Sequence, residues 1–244
     1  MKSILPNRCS YVFLFFLLIS ITPSAWAQYW VSFDEDTRFM ALGDSLTAGY
    51  AAHPATSGFV YQLYQGNVID NVNHTLFCNT GVPGALSQDV LSYQVPQVKR
   101  FFKETGQPYR KIITLTVGGN DMFQIIDEGI DPNIVLATYG GNLAATLGSL
   151  YTEFPLARVY VANQYDPLLG IPGEELLVAA INQVTAYVVG QFPNAVLVDV
   201  FSAFQGRSGL LLNQKPRSGM QIHPTNAGYR VLADAFADAI RADQ

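Results

Sequence analysis

The sequence predicts the α/β class, with one parallel sheet and helices packed on both of its faces. Three observations carry this. Short apolar runs alternate with helix-like stretches, the pattern of repeated βαβ units. The runs are mostly apolar throughout, which suits strands buried on both faces. Each suggestive polar cluster follows a strand, and ligands in such sheets bind beyond the carboxyl ends of strands.

The elements follow in order. Residues 38–42 (RFMAL) read as a short apolar strand ending at Gly43. Residues 59–65 (FVYQLYQ) suggest a helix, and residues 72–77 (VNHTLF) a second strand. Residues 88–104 have helical spacing at Val90, Leu91, Val95, Val98, Phe101 and Phe102. Residues 111–117 (KIITLTV) form a β-branched third strand. A helix follows Pro132, which suits a first helical turn, and runs to Glu153. Residues 158–162 are a strand, 174–189 a helix and 195–200 the fifth strand. The last helix starts at Thr225 or Asn226 and reaches Ile240, with Ala227, Val231, Leu232, Ala235, Phe236 and Ile240 on one face. No linker, repeat or charge break divides the chain, so residues 28–244 are expected to form a single domain.

Composition narrows the function. The chain is 49% hydrophobic and 14% charged, an ordinary globular balance. Its net charge of −5 argues against a nucleic-acid partner. A nucleotide site is disfavoured too, because no G-x-x-x-x-G-K-[ST] stretch occurs and Gly81-Val82-Pro83-Gly84 lacks G-x-G-x-x-G spacing. The three histidines, His53, His74 and His223, show no ligand spacing, so neither a metal nor a cofactor is expected.

The N-terminus reads as an export signal. Lys2 and Arg8 are followed by an apolar run from Tyr11 to Ile21, then by Ala25-Trp26-Ala27, the small-x-small pattern of a cleavage site. Residues 1–27 are expected to be removed, leaving a periplasmic or secreted protein without a stable membrane anchor. The apolar run is too short to span about 30 Å of hydrocarbon. Cys9 would leave with the signal, and Cys78 would stand alone.

Four polar clusters could carry chemistry. Gly43-Asp44-Ser45-Leu46 ends strand one and opens a helix, so the Ser45 hydroxyl sits at a strand tip near a positive helix end; an ordinary helix cap reads the same way. Asn79 to Gly84 (NTGVPG) follows strand two, where Gly84 lets the backbone approach a ligand. Gly118-Gly119-Asn120-Asp121 follows strand three, and Asn120 could aim its amide at developing negative charge. In His223-Pro224-Thr225, Pro224 holds His223 extended just before the last helix. Alone, each also reads as a turn or cap. Together, in this order and after different elements, they converge on one sheet edge. Acyl transfer needs that convergence: a base beside a hydroxyl, with donors around the oxyanion.

These four stretches resemble the blocks of the GDSL, or SGNH, hydrolase family, and the resemblance runs from residue 41 to about 228. It implies a flavodoxin-like three-layer α/β/α fold with a five-stranded parallel sheet. It also implies esterase, lipase, thioesterase or carbohydrate deacetylase activity on a small-molecule or lipid ester, with no metal. Carried over by position, Ser45 is the nucleophile and His223 the base. The Ser45 and Gly84 backbone N–H groups and the Asn120 side chain form the oxyanion hole. One position departs from the pattern. The family usually has Asp three residues before the histidine, where this chain has Met220, followed by Gln221. A main-chain carbonyl could orient His223, Asp199 at the end of strand five could substitute, or the site could be weak. A catalytically silent binding protein and a carbohydrate O-acetyl esterase therefore remain as alternatives. Tyr50, Phe59, Met122, Phe123, Tyr165, Leu168 and Leu169 could line an acyl pocket, or could be packing residues. Residues 170–173 (GIPG) read as part of a loop near the site.

Overall fold

Five parallel strands run in the order β2-β1-β3-β4-β5. They are β1 (Thr37–Gly43), β2 (Thr75–Asn79), β3 (Arg110–Thr116), β4 (Arg158–Ala162) and β5 (Ala195–Val198). Between and after them lie α1 (Ser45–Ala48), α2 (Phe59–Gln65), α3 (Ser87–Asp89), α4 (Val95–Phe101), α5 (Gly119–Glu128), α6 (Pro132–Glu153), α7 (Glu174–Val189), α8 (Val200–Phe204) and α9 (Asn226–Ala242). The computed structural model describes residues 36–102, 109–167, 170–212 and 222–244, all within one unit, Asp34–Gln244. The expected signal segment, residues 1–27, lies outside the described residues, as do Leu168, Leu169, Met220 and Gln221. No described helix is long and apolar enough to cross a membrane.

Strand geometry builds the three layers. Successive side chains point to opposite faces, so a wholly apolar strand feeds two cores. Phe39 and Ala41 of β1 join Ile112, Tyr160, Ala162 and Val198 under α2 and α9, through Phe59, Leu63, Phe236 and Ile240. Met40 and Leu42 join Ile113, Leu115, Val159 and Val161 under α4, α6 and α7, through Val98, Leu143, Leu147 and Ile181. Truncating a core ring such as Phe236, fully buried against the Phe59 ring, removes contacts worth about 3–5 kcal/mol.

Four elements depart from the sequence expectation. Val72–His74 is a single 3₁₀ turn, so β2 starts at Thr75. The Asn71 side chain accepts the Asn73 N–H at 2.9 Å and holds the turn. His74 is thus outside the strand, 3.2 Å from Asp36. The helix expected over 88–104 is broken into α3, a wider π turn at Val90–Gln94, and α4. Pro96 has no N–H to offer the Ser92 carbonyl, and such gaps are where helices widen or kink. Residues 195–200 are strand only to Val198, because the Asp199 carboxylate caps the Ser202 N–H and starts α8. The last helix extends to Ala242, with Thr225 capping its start.

The order of the strands matters for function. From β1 the chain first steps out to β2, then crosses to β3 on the other side. The crevice between the ends of β1 and β3 is the switch point where ligands bind in such sheets.

Candidate active site

Ser45 and Asn120 stand at that switch point. Ser45 opens α1 directly after β1, and Asn120 is the second residue of α5, after β3. The turn at Gly43 is what allows this. Its φ is +140°, and a Cβ there would lie 2.2 Å from the Thr116 carbonyl oxygen, so no larger residue fits. Gln94 fastens the same point from the π turn. Its amide accepts the Gly43 N–H at 2.7 Å and donates to the Gly43 carbonyl at 2.8 Å.

Asp44 caps α1. One carboxylate oxygen accepts the Leu46 N–H at 2.9 Å and the Thr116 hydroxyl at 3.0 Å. Asp44 is 3% exposed. Burial raises its pKa to about 6, against these hydrogen bonds, which lower it. The Ser45 N–H is one of the first-turn donors that no intrahelical carbonyl satisfies.

His223 comes from the far end of the chain. Its Nε2 lies 2.8 Å from Ser45 Oγ, within hydrogen-bond distance. Both residues are at most 9% exposed. The backbone around His223 is pinned from several sides. Leu212 N–H donates to the His223 carbonyl at 3.0 Å, and Leu211 and Pro224 form an antiparallel bridge. The Tyr165 hydroxyl donates to the Ile222 carbonyl. The Tyr50 ring packs on the imidazole with centroids 4.6 Å apart, and the Tyr229 hydroxyl donates to the Tyr50 carbonyl at 2.7 Å.

Ser45, Asn120 and His223 line one narrow cleft, with Asp44, Met122, Phe123, Tyr165, Pro167 and Ile222 among its other walls. Gly84 sits beside it rather than in it. It lines the adjoining depression with Val82, Tyr93 and Gln97. The Asn120 amide nonetheless reaches its loop, donating to the Ala85 carbonyl at 2.9 Å. The φ of +84° at Gly84 is the left-handed conformation that favours glycine.

One expectation needs correction, and for two residues the packing alternative holds. Asp199 does not support His223. Its exposed carboxylate accepts from Ser202 N–H at 3.1 Å and from the Asn163 amide at 3.0 Å. Burial raises its pKa, but those bonds outweigh it and hold the group below the usual carboxylate range. Phe59 is fully buried in the α2 and α9 core, not in the cleft. Tyr50 contacts the imidazole rather than an acyl channel. Met122, Phe123 and Tyr165 do line the cleft. Residues that the sequence reading passed over include Gln94, Tyr165 as the Ile222 tether, and Asp121. Only Asp121 carried a signal, by its place in the GGND stretch.

The family model described as GDSL-like Lipase/Acylhydrolase matches residues 41–231. The chain belongs to that family. A spore germination lipase, LipC, of Bacillus licheniformis is 24% identical over 218 residues, covering 83% of this chain and 95% of that protein. Among solved structures, the lipase Lip_vut3 from a goat rumen metagenome aligns with a TM-score of 0.64 at 22% identity, over 83% of this chain and 97% of that one. The acetylxylan esterase Axe2 of Geobacillus stearothermophilus aligns at 0.58 and 19% identity, over 85% and 95%. These likenesses share the α/β fold described above.

Proposed function

We propose that the chain is an exported serine esterase that hydrolyses carboxylic esters through an acyl-enzyme on Ser45. The observation that carries this is the 2.8 Å approach of His223 Nε2 to Ser45 Oγ at the sheet's switch point, within the range a general base needs. His223 takes the hydroxyl proton as Ser45 Oγ bonds to the ester carbonyl carbon. The carbonyl oxygen becomes an oxyanion, held by the Ser45 N–H, the Asn120 amide and the Gly84 N–H. The tetrahedral species collapses, His223 returns the proton to the leaving alcohol, and Ser45 keeps the acyl group. Water then repeats the sequence and releases the acid.

The narrow cleft, walled by Met122, Phe123 and Tyr165, favours a short acyl group. An acetyl ester of an alcohol that lies outside the cleft fits that space. A carbohydrate O-acetyl ester is one such substrate.

A panel of p-nitrophenyl esters of rising chain length, run beside an acetylated sugar, tests both points. Acetate is expected to be turned over fastest. Ser45→Ala is expected to lose at least about 10³-fold in kcat with an unchanged melting temperature. Retained turnover in that variant removes the serine assignment, and a preference for long chains removes the short-acyl reading.

A further inference from the structure

Asp121 is a buried carboxylate that the hydrolytic sequence does not use. It is 4% exposed and is not among the cleft-lining residues. Burial raises its pKa, while bonds from Ser87 lower it. Isolated buried charge is expensive unless it is hydrogen-bonded, and Ser87 supplies two donors from outside α5. The Ser87 hydroxyl donates at 2.5 Å to one carboxylate oxygen, and the Ser87 N–H donates at 3.0 Å to the other. Asn142 of α6 donates in turn to the Ser87 hydroxyl oxygen at 3.0 Å. One residue before Asp121, the Asn120 amide donates to the Ala85 carbonyl. The first turn of α5 therefore grips the segment after Gly84 at two points, two residues apart.

This grip acts on the oxyanion donors. The Asn120 amide nitrogen carries two hydrogens. The Ala85 carbonyl takes one and so sets the rotation of the amide, which leaves the other for the cleft. Any slip of residues 85–87 would turn that amide and shift Gly84 with it.

We propose that Asp121 is a positioning residue that locks the Gly84–Ser87 segment against α5 and so fixes the spacing of the Asn120 and Gly84 donors. The proposal rests on the esterase reading above. Asp121→Asn is the direct test. An amide keeps one acceptor oxygen but turns an NH₂ group toward one of the two Ser87 donors. Expected is a fall of about 10- to 100-fold in kcat per active site titrated with a fluorophosphonate, with KM changed less than about twofold, because misplaced donors weaken the transition state rather than ground-state binding. In an Asn120→Ala background the same change should cost at most about threefold, since coupled residues do not add.

An unchanged kcat per titrated site with only a lower melting temperature overturns the proposal, as does full additivity with Asn120→Ala. If Asp121→Asn does not fold, Ser87→Ala takes its place. It deletes one donor, and about a 3- to 10-fold loss in kcat at constant KM supports the proposal, whereas no loss overturns it. A wild-type chain that hydrolyses no ester removes the esterase reading and this proposal together. An active wild type with an unaffected Asp121→Asn variant removes the proposal alone.

Discussion

The two walls of the cleft are built differently. The Ser45 and Asn120 wall hangs from the ends of β1 and β3, adjacent strands in one sheet. It is tied by buried side chains: Gln94 on Gly43, Asp44 on Thr116, Asp121 on Ser87. The His223 wall is a loop ahead of α9, fixed by backbone bonds to residues 210–212 and by the tyrosines Tyr50 and Tyr165. A strand end fixes its side chains because the sheet on either side is rigid. A loop has to be tied at each residue. The first wall therefore suits donors whose value lies in preorganisation. The second suits a base that must hold and release a proton.

Three variants probe that contrast, from the largest expected effect to the smallest. Asn120→Ala takes a donor from the rigid wall. Expected is a loss of about 10²–10³-fold in kcat with little change in KM, measured on p-nitrophenyl acetate. A loss confined to KM would mean that Asn120 binds the ground state only.

Tyr165→Phe cuts the tether on the other wall and leaves the ring stacked on Phe204, 4.6 Å between centroids. Expected is about a tenfold fall in kcat with about 1 kcal/mol of lost stability, the worth of one buried hydrogen bond. If activity is unchanged while stability falls, the backbone bonds at Leu212 and Pro224 alone hold the histidine.

Asp44→Asn tests the electrostatics beneath Ser45. The folded-state pKa of Asp44 is about 6, above its ordinary 3.8. The folded chain therefore binds this proton more tightly than the unfolded chain. Its stability is fully present below about pH 3.8 and falls as pH rises through about 6. Asparagine keeps an acceptor for Leu46 and Thr116 without the buried charge. Thermal melts at pH 7 are expected to show the variant more stable by at most about 3 kcal/mol, with the gap closing near pH 4. A variant less stable at every pH would show that the charge is needed for the cap.

The same contrast explains what the sequence could tell. Parallel strands announce themselves by apolar runs, and β4, α6 and α7 fall where the sequence reading set them. Ser45 and Asn120 stood out in the sequence because they lie two and four residues beyond the ends of β1 and β3, beside glycines with a geometric task. Boundaries failed where a single side chain intervened. Asn71 held a turn at the start of β2, Pro96 widened a helix, and Asp199 ended β5. The supports of the site were illegible for a related reason. Gln94 reaches Gly43 across 51 residues, Ser87 reaches Asp121 across 34, and Tyr165 reaches Ile222 across 57. Local spacing carries no trace of such pairings. Asp199 looked like a candidate acid because it follows a strand, yet it faces Asn163 and its own helix.

The pairing of Ser45 with His223 is tested most directly by covalent labelling. The purified protein is treated with a fluorophosphonate, digested and mapped by mass spectrometry, alongside His223→Ala. The expected result is one adduct, on Ser45, forming at least about 10²-fold more slowly without the imidazole, the scale of general-base assistance. An adduct on another residue, or equal labelling of Ser45 in both proteins, would contradict the Ser45–His223 pair.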